Sequence, residues 1–410
     1  MRVLFLTQWF TPEPAPKGER FADALASRGH DVEVVTGFPN YPGGKLYDGY
    51  RVRHISRERA GRAELTRLPL YPSHDESILR RALNYGSFAV SALFYLVFVA
   101  KRVDVIYAYH PPLSVPLVAV LAGAIRRIPV VMDVQDIWPD SLVSTGVAAD
   151  GRSIRLIGRL CQFCYRRARK ICVLSDGFAN LLNSRDVPME KIQVIPNWAH
   201  DEEGLLATKP GAGPALHGVF RILFAGNMGP AQDLGTILDA AEQLLSTQGQ
   251  EARSIEFVLL GGGIARDELA ALAQKRGLGN VRFLPRVTPE EATAHIADAD
   301  ALLVHLRSDE IFRVTIPSKI QTYLCAGRPI ICCVEGDAAR IVAAAEAGEC
   351  VPSGNAAALA DAAVALASRD RAMLDKMGRA GRNYYLHNMS MSSAVVAFET
   401  VLLAGAVDKK

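Results

Sequence analysis

Short runs rich in valine, isoleucine and leucine alternate along this chain with stretches whose apolar residues recur every three or four positions. The first kind reads as buried strand and the second as amphipathic helix, so the pattern predicts parallel sheets of the α/β class. In the first half, strands are expected over 3–7, 32–36, 103–108, 130–133, 170–174 and 194–196. A helix over 18–29, with Phe21, Leu25 and Ala26 on one face, joins the first two. From 198 to 218 the chain turns acidic and rich in glycine and proline, without a period, which marks a linker at 201–219. The pattern restarts at Phe220, with strands expected over 221–225, 255–260, 281–284, 301–305 and 330–334. Helical patterns over 355–385 and 390–403 close the chain. The expected organisation is a first domain over 1–200, a second over 220–388, and a C-terminal helix in 389–410 that packs back on the first domain. Two Rossmann-like domains facing each other across a cleft would place ligands outside the carboxyl ends of the strands.

Composition narrows the picture. The chain has 410 residues, enough for two separate cores, with half of them apolar and 22% charged, a globular balance. A formal charge of +3, from 46 basic against 43 acidic residues, argues against nucleic acid as partner. The basic pairs Arg80-Arg81, Lys101-Arg102, Arg126-Arg127 and Arg166-Arg167 nevertheless all fall in the first half. Seven cysteines, an odd number without regular spacing, read as reduced thiols. The lone pair Cys161 and Cys164 reads as core thiols rather than a metal or redox site. Residues 1–7 read as a first strand, being too short for a secretory signal. The uncharged run 86–100 is shorter than the roughly 20 residues of a bilayer span. It reads as a buried core helix, with a helix in a membrane interface, flanked by basic pairs, as the alternative.

The chemistry concentrates at strand ends. After the fourth strand of the second half, Pro317-Ser318-Lys319 opens a helix ending at Gly327, with Ser318 expected as its cap. Free N–H groups at a helix N-terminus favour phosphate, and Lys319 adds charge. Gly226-Asn227-Met228-Gly229, then Gly261-Gly262-Gly263, then Pro285-Arg286 follow the three preceding strands, so a backbone-lined nucleotide site is expected there. In the first half, His110 ends a strand, and Asp136 follows the next in a loop stiffened by Trp138 and Pro139. A carboxylate there suits proton abstraction or the holding of hydroxyls. Lys17 and Gly18 precede a helix N-terminus and read as a further phosphate contact. Asp298-Ala299-Asp300 matches a metal-binding D-x-D pattern, but its place at a helix end reads as solvation.

These motifs together, with Gln8-Trp9-Phe10 and Pro12-Glu13-Pro14, Gly29-His30-Asp31, Asp136-Ile137-Trp138-Pro139-Asp140, Gly226-Asn227 with Gly229 and Gln232, and Pro317-Ser318-Lys319, resemble glycosyltransferase family 4, of the GT-B fold. The similarity spans essentially the whole chain and is greatest to the branch acting in bacterial O-antigen and capsule synthesis, WbuB-like fucosamine transferases among them. The resemblance implies a retaining transferase that needs no metal or other cofactor. Its partners would be a nucleotide sugar, UDP-linked before GDP-linked, and a lipid-linked or polysaccharide glycan acceptor, polyprenyl diphosphate being one candidate lipid. Such an enzyme would be cytoplasmic and peripheral to the inner face of the cell membrane. By resemblance, Gly226, Asn227, Gly229, Gln232, Gly262, Arg286, Ser318, Lys319 and Thr322 would bind the donor. Lys17, Gly18 and Trp138 would bind the acceptor, and His110 and Asp136 would be catalytic. Two departures stand out. Many relatives carry arginine and lysine where this chain has Asn227 and Gln232, and two glutamates where it has Val314 and Thr322. Diphosphate neutralisation would then fall on Lys319 and the N–H groups of Gly229 and Ser318. A sugar-nucleotide 2-epimerase of the same fold, or a non-catalytic nucleotide-sugar-binding subunit, are the alternatives.

Overall fold

The computed structural model describes residues 1–15, 17–73, 78–144, 151–211, 218–247 and 254–406. Two units emerge: Met1–Ile195 joined by the segment from Ala394 onward, and Pro196–Ser393.

The first unit is built on eight strands: β1 (Arg2–Leu6), β2 (Asp31–Gly37), β3 (Ser56–Ala60), β4 (Ala63–Leu68), β5 (Val105–His110), β6 (Val130–Val134), β7 (Lys170–Val173) and β8 (Ile192–Val194). They lie in the order β3-β4-β2-β1-β5-β6-β7-β8, all neighbours parallel except the β3–β4 pair. The strand order reverses at β1, so β1 and β5 flank a switch point whose carboxyl ends favour ligands. β3 and β4 escape the sequence reading because Arg57, Glu58, Arg59, Glu64 and Arg67 interrupt their apolar pattern. Charge on an edge strand is a usual guard against edge-to-edge pairing. The C-terminal helix Met391–Ala406 belongs to this unit through Phe398, whose ring stands edge-on to Phe21 at 5.2 Å and to Tyr107 at 5.6 Å. Glu399 adds an ion pair with Arg28 and a contact to His30 Nε2 at 2.8 Å.

The expected apolar run forms the helix Ile78–Phe94, continued by a π-helical turn over Tyr95–Val99. One face is committed to the sheet. Asn84, wholly inside, donates to Asn40 Oδ1 at 3.1 Å and the Tyr71 carbonyl at 2.7 Å, and accepts from Gln8 Nε2 at 2.6 Å. Tyr95 donates to Glu33 at 2.5 Å. The other face stays exposed at Leu79, Leu83, Val90, Phe94 and Phe98. The core-helix reading therefore holds for one face only.

The second unit carries β9 (Val219–Ala225), β10 (Ser254–Leu260), β11 (Val281–Leu284), β12 (Ala301–His305), β13 (Ile330–Cys333) and β14 (Gly348–Cys350). All are parallel, in the order β11-β10-β9-β12-β13-β14. Both faces are covered: Phe220, Ile222 and Phe224 point to one core, Leu223 to the other. Continuous apolar runs are the mark of such doubly buried strands. β14 is missed in the sequence because it has three residues and starts with Gly348, where an added Cβ would strike the Ile330 carbonyl. All seven cysteines are free, and only Cys350 is exposed. Burial pushes the Cys161 and Cys164 thiols up to about 12.

The described parts of the stretch expected as a linker, 201–211 and 218–219, belong instead to the second unit; residues 212–217 lie outside the described residues. Helix Glu202–Ala207 is capped by Asp201, buries Leu205, and accepts the Tyr385 hydroxyl on Glu202 at 2.8 Å. Arg382 fixes it. From the helix Arg371–Asn388, this buried guanidinium donates to the carbonyls of Cys325 (2.9 Å) and Ala326 (2.7 Å), which end the helix Ser318–Ala326. It also donates to the carbonyls of Leu205 (3.1 Å) and Thr208 (2.7 Å). Replacing it by methionine strands these carbonyls, and that of Leu206 at 3.4 Å, without their charged donor. Arg382→Met is expected to lower the unfolding free energy by about 3 kcal/mol or more in urea titrations. Arg382→Lys should recover little, since an ammonium lacks the planar fork. A lysine variant as stable as the native chain would overturn the clamp.

Candidate active site

Four strand ends of the second unit meet at one cavity of about 610 Å³. Gly226 and Asn227 come from the end of β9, Gly261 to Gly263 from β10, Arg286 from β11, and Ser318, Lys319, Thr322 and Tyr323 from the helix Ser318–Ala326, the second after β12. Backbone bonds tie the first two loops together: Gly226 N–H donates to the Leu260 carbonyl at 2.9 Å and Met228 N–H to that of Gly262 at 2.8 Å. The crossing requires glycine. Gly261 has φ of +139°, and a Cβ there would strike the Gly226 carbonyl. At Gly226, φ is +143° and a Cβ would come within 2.9 Å of Lys319 Nζ.

Lys319 is the cationic centre. Its ammonium lies 4.7 Å from the centroid of the Phe224 ring, and among the described residues it has no carboxylate partner. Burial pulls it down from 10.5 to about 8. A desolvated cation over an aromatic face, beside free helix N–H groups, is a receptacle for an anion.

Ser318 does not cap this helix. Pro317 occupies the N-cap position without a side-chain bond, and Ser318 is the first helical residue. The first N–H groups of the helix are thereby left without side-chain caps. Thr322 donates its hydroxyl to the Ser318 carbonyl at 3.0 Å, so toward a ligand it acts as an acceptor. Gly229 and Gln232 are not part of the cavity lining. The Gln232 side chain accepts the Gly229 N–H at 3.0 Å, closing the turn on itself, so the expected N–H donor at Gly229 is already engaged. The sequence reading also missed two residues here. Tyr323 accepts the Ala225 N–H at 3.0 Å and braces the end of β9. Buried His305 donates from Nδ1 to the Gln232 carbonyl at 2.8 Å and braces the turn from behind. Both lie inside apolar runs, where polar side chains read as packing.

Asp300 is buried, and its carboxylate accepts the Arg221 N–H at 2.9 Å. That bond ties β9 to the start of β12 and corrects the solvation reading of the D-x-D pattern.

In the first unit the expected residues divide. Lys17 is buried and forms an ion pair with Asp133 at 2.8 Å, its ammonium 4.8 Å from the Phe398 ring centroid. Asp133 also accepts from the Tyr107 hydroxyl at 2.5 Å and Gln135 Nε2 at 2.8 Å. Lys17 is therefore a core cation joining its loop to β6 and the C-terminal helix, and the acceptor-binding reading is corrected. Gly18 supplies the carbonyl that opens the helix Glu19–Ser27, accepting from Phe21 and Ala22, both at 3.2 Å. His110 has no exposed surface. Its ring stands edge-on to Trp138 at 5.3 Å, and burial lowers it to about 3, so the imidazole is neutral. The expectation of a catalytic group open at the strand end is thus corrected to a neutral support beneath Trp138. Asp136 remains half-buried after β6, with its carboxyl raised by desolvation against hydrogen bonds from Ser141, Trp138 and the Ile137 N–H.

Comparison with known proteins bears on family and fold. Residues 18–198 match the glycosyl transferase 4-like domain family, and residues 219–369 match the glycosyl transferases group 1 family. A protein of Escherichia coli (strain K12) named as a colanic acid biosynthesis glycosyl transferase, WcaI, is 28% identical over 80% of this chain and 82% of its own length. A protein of Pseudomonas aeruginosa named as a glycosyltransferase, WbjE, is 25% identical over 58% of each chain. Among solved structures, HepE of Anabaena in complex with UDP covers 98% of this chain and 100% of its own, with a TM-score of 0.68 at 16% identity. WaaG, a glycosyltransferase of lipopolysaccharide biosynthesis, covers 97% and 99%, with a TM-score of 0.62 at 17% identity.

Breaking the buried pair from one side leaves a carboxylate without its cation. Lys17→Met is expected to destabilise the chain by about 3–5 kcal/mol, and a compensating Asp133→Leu should recover most of that loss in a denaturation cycle. Independent, additive losses would count against the pair.

Proposed function

As the chain belongs to the two-domain GT-B glycosyltransferases, a glycosyl transferase 4-like domain followed by a group 1 domain, we propose that it moves a sugar from UDP onto a lipid-linked glycan at the cytoplasmic face of a membrane, with retention. The single observation that carries the donor assignment is Lys319, desolvated and without a carboxylate partner beside the Gly226 and Gly261 loops. UDP is favoured because HepE, of the same fold, is in complex with UDP. Surface-polysaccharide synthesis is favoured by the likeness to WcaI and WbjE. Retention and metal independence rest on the family resemblance.

In this reaction the bond from the anomeric carbon to the diphosphate oxygen breaks, and its electron pair leaves with UDP. Lys319 and the N–H groups opening the helix Ser318–Ala326 neutralise that growing charge without reorganising. Thr322, committed as a donor, accepts from a ribose hydroxyl. The acceptor hydroxyl forms the new bond and loses its proton. Asp136, whose proton affinity is raised by burial, is the group proposed to take or guide that proton. Trp138, supported by neutral His110, offers a face to the acceptor sugar.

Thermal shifts with UDP and GDP test the donor assignment. UDP at 100 times its dissociation constant should add about 2.7 kcal/mol of stability to the native chain, and Lys319→Met should lose most of that gain. Lys319 is cationic below about 8 and neutral above it in the free protein. UDP affinity should therefore fall as pH rises from 7 to 9.5, and Lys319→Arg should flatten the profile. A native profile as flat as that of the arginine variant would remove Lys319 from the phosphate site. Asp136→Asn should cut turnover by roughly 100-fold or more with the UDP shift unchanged; turnover within a few-fold of native would exclude it as the base.

A further inference from the structure

The first unit holds a cavity of about 690 Å³ at the amino ends of β5, β6 and β7. Asp136 and His110 lie at the other end of these strands, roughly 16 Å away along a five-residue strand. Arg102 precedes β5, Arg127 stands ahead of β6, Arg166, Arg167 and Arg169 precede β7, and Lys191 precedes β8. These six cations come from four separate parts of the chain, and no carboxylate lines the cavity with them. Lys191 donates to the Arg166 carbonyl at 3.1 Å, capping the helix Arg152–Arg167, and Arg167 stacks on Phe163 at 5.5 Å. Among the described residues none of Arg102, Arg127, Arg166 and Arg167 forms an ion pair. Like charges gathered in one concavity repel unless an anion occupies it, and they focus potential outward.

The walls connect this charge to exposed apolar surface. The helix Ser114–Arg126 lines the cavity with Val120, Gly123 and Ala124, while its Ile125 is 63% exposed. Arg126 donates to the Leu96 carbonyl at 2.7 Å, joining this helix to the one that exposes Phe94 at 60% and Phe98 at 74%. The segment Leu79–Val99 has the length and hydropathy of a membrane span. The Asn84 bonds hold its other face to the sheet, so it suits lying in an interface rather than crossing one.

We propose that this cavity and the adjoining helix faces form a bilayer-docking surface. The cavity takes the phosphates of anionic phospholipid headgroups, while Phe94, Phe98 and Ile125 enter the interface. The proposal rests on the membrane part of the function proposed above and assigns the site and the headgroup class.

The test uses the full chain with vesicles of phosphatidylcholine, alone or with phosphatidylglycerol, at several salt concentrations. Native protein should sediment with the anionic vesicles and less so as salt rises. Arg102→Gln with Arg166→Gln should weaken this roughly thirtyfold, whereas Lys275→Gln with Lys376→Gln, removing exposed charges of the second unit, should not. UDP thermal shifts on the same variants should stay native, keeping the donor site apart from this one. If native protein binds and the Arg102/Arg166 variant binds equally well, the cavity assignment fails while membrane association stands. If native protein ignores anionic vesicles, both fail, whatever the UDP result. If inorganic diphosphate stabilises the native chain but not the variant, and vesicles bind neither, the ligand is a soluble phosphate and the lipid assignment is overturned.

Discussion

The helix Ser318–Ala326 is held at one end so that it can be used at the other. Arg382 places a buried guanidinium against its last carbonyls, where the helix dipole is negative, and joins them to the carbonyls of the helix Glu202–Ala207. The opposite end presents Lys319 and uncapped N–H groups to the cavity. A cation at the C-terminus and an anion at the N-terminus both favour the same helix. The protein supplies the first, and under the proposed function the donor phosphate would supply the second. The glycine crossing at Gly226 and Gly261 then brings two further backbone turns to the same place, since any side chain there would drive the loops apart.

Most of the architecture was legible because parallel strands buried on both faces leave unbroken apolar runs, as in β5, β6, β9 and β12. What escaped was short or charged. β3 carries its arginines and glutamate on an exposed edge, β4 beside it is interrupted by Glu64 and the buried Arg67, and β14 is three residues long. Residues 201–208 looked like part of a linker because their composition is acidic, yet Arg382, far away in sequence, fixes the helix Glu202–Ala207 there. Distant partners of this kind leave no local trace.

That these strand ends meet was likewise legible: Gly226, Gly262, Arg286 and Lys319 line one cavity. Individual roles were not. Whether Gly229 has a free N–H depends on the rotamer of Gln232, and whether Lys17 meets a ligand depends on Asp133, more than a hundred residues on. His110 shows the same limit: a histidine at a strand end reads as chemistry, and only the packing of Trp138 shows that it is closed off and neutral. Sequence pattern places residues near a site. Hydrogen-bond partners decide which of them still has capacity to offer.

The cysteine distribution has a practical consequence. Six thiols are sealed in the two cores, while Cys350 stands exposed on β14 at the edge of the second sheet. A maleimide dye or spin label added to the folded native chain would therefore report from a single known position, without any cysteine having to be engineered away.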